Sequence, residues 1–131
     1  MEILAGIITT LFGLYLITLL IVTLLRKKSA INYFSSFASS AKVHYLEQLL
    51  RLIAGLGLLL YSDSMLFSNL FGIFGWVLTA TSILLIITPW QWHNKFGEWA
   101  IPFTIRNLIL YAVSASIIGL VIIYCVIAPL I

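Results

Sequence analysis

Apolar residues fall into four long runs, which are separated by short stretches that hold most of the polar residues. The runs cover residues 3–25, 43–61, 66–88 and 105–128. A helix rises about 1.5 Å per residue, so about 20 apolar residues cross the hydrocarbon core of a bilayer, which is roughly 30 Å thick. The pattern predicts an all-α polytopic membrane protein, with four transmembrane helices in an antiparallel bundle that forms a single domain over residues 1–131.

Composition supports a membrane protein. The chain has 131 residues, of which 63% are hydrophobic and 8% are charged, and its mean hydropathy is +1.16. A soluble domain of this size needs a more charged surface. The first run lacks positive charge before it, and Arg26, Lys27 and Lys28 follow it, so we expect a retained span and not a signal peptide.

The basic residues predict the orientation. All seven Lys and Arg residues lie in residues 26–42 and 89–104 or in the first turns of the spans beside them. Cytoplasmic loops carry an excess of Lys and Arg. We therefore expect these two segments to be cytoplasmic loops and both termini to lie outside the cytoplasm, in a multi-pass protein of the inner or plasma membrane. The first loop is rich in serine, with apolar residues such as Phe34 and Phe37 at helical spacing, and suits either a short surface helix or a plain loop.

One run carries an unusual polar pattern, which we call the polar stripe: His44, Glu47, Gln48 and Arg51. These residues stand at i, i+3, i+4 and i+7, so they share one helix face. The purely apolar part of the run, residues 52–61, is too short to cross a bilayer alone. We therefore expect Arg51 to be buried in the bundle and paired with Glu47, one turn away.

The second loop combines aromatic and polar residues. This pattern is typical of an aromatic belt or of a short helix at the membrane interface. Small residues recur on one face of several spans, which favours close helix packing. The loop residues that we single out are Trp90, Trp92, His93, Lys95, Glu98 and Trp99.

Catalytic and metal chemistry are not favoured by the sequence. No GxSxG, HExxH, P-loop or dinucleotide fingerprint occurs. Two histidines and two glutamates, His44, Glu47, His93 and Glu98, could bind a divalent metal if the second loop folded beneath the second span. Because a single His-x-x-Glu match is common by chance, we expect no metal, no cofactor and no catalytic residue.

The sequence leaves three functions open. We expect a non-enzymatic accessory or scaffold subunit that packs against membrane partners or itself, in contact with the lipid bilayer and without a nucleic-acid partner. The alternative is a small transporter or lipid-handling protein that uses His44, Glu47 and Arg51, because ionisable groups at membrane depth usually have a function. A membrane enzyme comes third.

Overall fold

A computed structural model describes residues 2–36 and 41–131, and this part of the chain is helical almost throughout. Short 3₁₀ turns, Ser62–Ser64 and Ala128–Leu130, follow two of the helices. The six α-helices are α1 (Glu2–Leu25), α2 (Lys27–Ser35), α3 (Ala41–Tyr61), α4 (Ser68–Ile87), α5 (Trp90–Arg106) and α6 (Leu108–Ile127).

Four of these helices, α1, α3, α4 and α6, are long and apolar enough to cross a membrane. The prediction of an all-α protein is therefore confirmed, and four of its helices have the length and apolar character that membrane spans require. One boundary was wrong. The last span begins at Leu108 and not at residue 105, so Arg106 lies in the last turn of α5.

The two predicted loops contain helices. In the first loop, α2 covers residues 27–35, whereas residues 37–40, including Phe37, lie outside the described residues. In the second loop, α5 is a continuous helix that passes through Pro102. Its buried residue is Gly97, and its opposite face is exposed and combines Trp92 and Trp99 with Lys95 and Arg106, as expected of a helix at a membrane interface.

Small residues let neighbouring spans approach closely. A Cβ atom at Gly119 of α6 would lie 2.5 Å from the Gly13 carbonyl oxygen of α1, and one at Gly75 of α4 would lie 2.8 Å from the Leu59 nitrogen of α3. Gly57 of α3 similarly faces α1. The spans are thus arranged as a row, α6–α1–α3–α4, in which each helix runs antiparallel to its neighbours.

The two ends of the row differ. At the end that holds Glu2 and the 62–64 turn, which we call the turn end, the Leu66 N–H donates to the Cys125 carbonyl over 3.0 Å and joins the start of α4 to α6. The largest buried apolar cluster lies there, with members such as Leu58 and Phe71. At the other end, which we call the basic end, the 17 residues of α5 connect α4 to α6 over about 25 Å. The outer helices of the row therefore diverge towards the basic end.

Candidate functional site: a histidine joint and an exposed arginine

The polar stripe does not act as one surface, because its members point to different neighbours. His44 is 0% exposed and Gln48 is 3% exposed, whereas Glu47 is half-buried and Arg51 is exposed. His44 and Gln48, on the face of α3 that meets α4, are closed to solvent, whereas Arg51 is open.

His44 connects three helices, and we call this contact the histidine joint. Its Nε2 lies 2.8 Å from the Leu85 carbonyl oxygen of α4, and its Nδ1 lies 2.8 Å from Nδ1 of His93 in α5. The two imidazole rings are nearly perpendicular, with centroids 4.9 Å apart. A residue that the sequence placed in a distant loop therefore meets the stripe directly.

Pro89 explains why the Leu85 carbonyl needs a partner. The residue before a proline is driven out of the helical region, and Thr88 is extended with ψ 134°. The helix therefore ends, and the Leu85 carbonyl has no N–H four residues later to bond with. A buried carbonyl without a partner costs free energy, and His44 supplies the donor.

The geometry determines the proton positions in the joint. A carbonyl oxygen only accepts, so Nε2 of His44 must carry a hydrogen. The two Nδ1 atoms share one hydrogen, since two would clash at 2.8 Å. The joint therefore tolerates at most one positive charge. Burial, and then the nearby His44 and Arg51, lower the pKa of the His93 imidazole below its usual value of 6.5, which favours a neutral His93 at pH 7.

Two buried polar atoms on α3 and α4 have no hydrogen-bond partner within the described part of the chain. They are Oε1 of Gln48 on α3 and Oγ1 of Thr79 on α4. The sequence singled out Gln48 only as a member of the stripe. Because Gln48 is buried between helices, it belongs to the face of α3 that packs in the interior of the protein.

Arg51 contradicts the sequence-based prediction of burial. The residue is exposed, and its Nη2 donates to Oγ1 of Thr81 on α4 over 2.8 Å. The Thr81 hydroxyl in turn donates to the Val77 carbonyl, 2.8 Å away. Thr81 could not be identified from sequence, because only the register between α3 and α4 brings it opposite Arg51. The pairing of Arg51 with Glu47 stays a prediction.

Glu47 lies on the side of α3 that faces α1. Its carboxylate is within electrostatic range of the Tyr15 hydroxyl on α1. That hydroxyl is hydrogen-bonded to the hydroxyl of Tyr33 on α2. Neither tyrosine was singled out in the sequence, since Tyr15 in an apolar run and Tyr33 in the serine-rich first loop carry no distinctive pattern.

The aromatic and polar residues of α5 separate into two faces. Trp92 and Trp99 are exposed, together with Phe96, and Trp90 is half-buried. Lys95 and Glu98 are also exposed, whereas His93 turns inwards to the joint. The structure therefore separates His93 from the other loop residues with which the sequence grouped it.

No group of three or more His, Cys, Asp or Glu residues that could hold a metal ion occurs within residues 2–36 and 41–131. The two histidines meet through a hydrogen bond, and one Nε2 is engaged by a carbonyl. The arrangement can hold helices together, accept one proton and, at Arg51, present a cation to an anionic group.

Comparison of the chain with protein-family models, with curated proteins and with solved structures finds no match.

Proposed function

We propose that this chain is a non-enzymatic integral membrane protein that acts as an accessory or scaffold subunit, packing against other membrane proteins or against copies of itself. The observation that carries this proposal is the closure of His44 and Gln48 inside the protein. A transport path through the stripe would need these groups to reach water or substrate. Instead His44 is bonded to Leu85 and His93, which favours a structural role.

The proposal includes an orientation. The three basic residues after α1, together with Lys95 and Arg106 of α5, belong to one end of the row, and Glu2 and Asp63 belong to the other. The positive-inside rule then puts the basic end in the cytoplasm and both termini outside it. The inner or plasma membrane is the proposed location.

A cysteine scan tests the subunit proposal. Cys125 is the only cysteine, so Cys125→Ala gives a background without thiols. Single cysteines would replace exposed residues on each span, Leu14, Leu49, Val77 and Leu120. Oxidative cross-linking in native membranes should capture a partner or a second copy from one face only, and buried Ala112→Cys is the matched control. A chain that cross-links from no face and behaves as a monomer would contradict the proposal.

A second function, lipid handling, is favoured by one specific observation. Arg51 lies midway along a membrane-spanning helix, yet it is exposed. An ionisable residue at such depth is a functional candidate by default. Retention of lipid by the purified protein, measured by native mass spectrometry, tests this function, and a preparation that retains no lipid beyond the detergent background would oppose it.

A further inference from the structure

Arg51 lies in a particular sector of α3. Gly57 and Tyr61 face α1, whereas Gly55 and Leu59 face α4. At about 100° per residue, Arg51 falls between these two faces and within about 20° of Leu58. The sector that holds Arg51 is therefore the side of α3 that is turned towards the space between α4 and α6.

This sector is closed at one level and open at another. Leu58 is fully buried in the turn-end cluster, where Phe71 from α4 and Ile122 from α6 also lie. Arg51 is seven residues, or about 10 Å, closer to the basic end, and it is exposed. His44, within about 20° of Arg51 and about 10 Å closer to the basic end, is also fully buried. The divergence of α4 and α6 thus forms a wedge that is closed at the turn end, covered by α5 at the basic end and open beside Arg51. We call this space the wedge cleft.

The depth of the wedge cleft matches one lipid leaflet. A partner helix would need an open groove along some 30 Å, the full hydrocarbon thickness. The cleft is closed at the level of Leu58, so it is too short for a partner helix. A lipid of the leaflet at the basic end needs only about half of the hydrocarbon thickness, and its acyl chains can lie along the exposed apolar sides of α4 and α6.

The chemistry of the cleft suits an anion. The Arg51 guanidinium has five N–H donors, and Thr81 accepts from one of its nitrogens and so orients the group. Exposed Arg106 on α5 adds positive charge at the same end. Guanidinium groups bind phosphate and carboxylate oxygens with two parallel hydrogen bonds.

We propose that the wedge cleft between α4 and α6 binds the phosphate or carboxylate head group of an anionic lipid from the leaflet at the basic end, through Arg51 oriented by Thr81. This inference rests on the second function proposed above and names its ligand class. α5 then covers the bound head group at the basic end. The hydrogen bond to Thr81 holds the guanidinium below α5, so the head group enters between α4 and α6 beneath that helix.

The test uses spin-labelled phosphatidylglycerol and phosphatidylcholine of equal chain length, with the full chain in nanodiscs. Wild type should immobilise phosphatidylglycerol in preference to phosphatidylcholine. Arg51→Gln should weaken that preference about tenfold, because a charge-assisted pair is lost. Lys95→Gln is the matched control: it removes one exposed positive charge at the same end, on a side of α5 turned away from His93, and should leave the preference unchanged.

The outcomes are separable. If Arg51→Gln kept the preference for phosphatidylglycerol, the proposed site would be wrong. The selectivity would then come from the general positive charge of the basic end, and lipid handling would still be supported. If Arg51→Gln does not fold, Thr81→Val carries the test, with an expected loss of about threefold from the disoriented guanidinium. An unchanged preference in that variant would also overturn the site, as would cross-links from position 51 to a protein in place of lipid.

Discussion

The contact between α1 and α6 gives the sharpest prediction about stability. Gly119 of α6 faces the backbone of Gly13 in α1, and an added Cβ atom would lie 2.5 Å from that carbonyl oxygen. Ordinary carbon–oxygen contacts between helices begin near 3.3 Å, so Gly119→Ala would force the two helices apart by about 0.8 Å. Because the obstructing atom belongs to the backbone, no side-chain rotation can relieve the clash.

The expected magnitude follows from two opposing effects. Overpacking a tight interface costs about 1–3 kcal/mol, whereas replacing glycine by alanine in a helix gains about 1 kcal/mol. Gly119→Ala should therefore lose about 1 kcal/mol. Gly72→Ala on α4 is the matched control, because its Cβ would meet only the Ser62 hydroxyl oxygen, at 3.5 Å. That variant should gain stability, which leaves the two about 2 kcal/mol apart.

Thermal unfolding in one mild detergent, followed by circular dichroism at 222 nm, measures this difference. At about 4 °C per kcal/mol for a chain of this length, Gly119→Ala should melt about 8 °C below Gly72→Ala. If Gly119→Ala melted at or above Gly72→Ala, the close approach of α1 and α6 would be refuted.

Three further predictions concern the histidine joint and the orientation. His44→Leu should lower stability by about 1–3 kcal/mol, because it leaves the Leu85 carbonyl unsatisfied, whereas Leu46→Ala at an exposed position should melt close to wild type. Because the pKa of His93 is lowered in the folded protein, its contribution to stability is present above pH 6.5 and is lost as the pH falls through the lower folded-state pKa. In wild type the melting temperature should thus decrease as the pH is lowered below 6.5. The decrease should be much smaller in His93→Asn, whose amide can donate a hydrogen bond in place of Nδ1. Equal pH profiles of the two proteins would count against the joint. In the background lacking Cys125, an impermeant maleimide on intact cells should label Glu2→Cys and spare Lys95→Cys, and the reverse pattern would overturn the orientation.

The sequence by itself determined the class of fold, because membrane burial imposes a length and an apolar composition on each span. The bounds of the four runs lie within three residues of those of α1, α3, α4 and α6, and the start of α6 differs most. The break between α5 and α6 falls at Asn107, within a stretch from Trp99 to Leu110 that is mostly apolar but holds Arg106 and Asn107 at the break. Hydrophobicity alone therefore did not locate the boundary, and these two polar residues were the signal that could have.

The candidate site was predictable only in part. Spacing placed His44, Glu47, Gln48 and Arg51 on one broad face of a helix, but that face covers both the contact with α4 and the open sector beside it. Whether a residue of this face is buried against α4 or left open depends on where the neighbouring helices lie. Glycine contacts between segments far apart in sequence fix those positions. Tertiary packing alone therefore buried His44 against His93, left Arg51 exposed beside Thr81, and separated α4 from α6 by the length of α5.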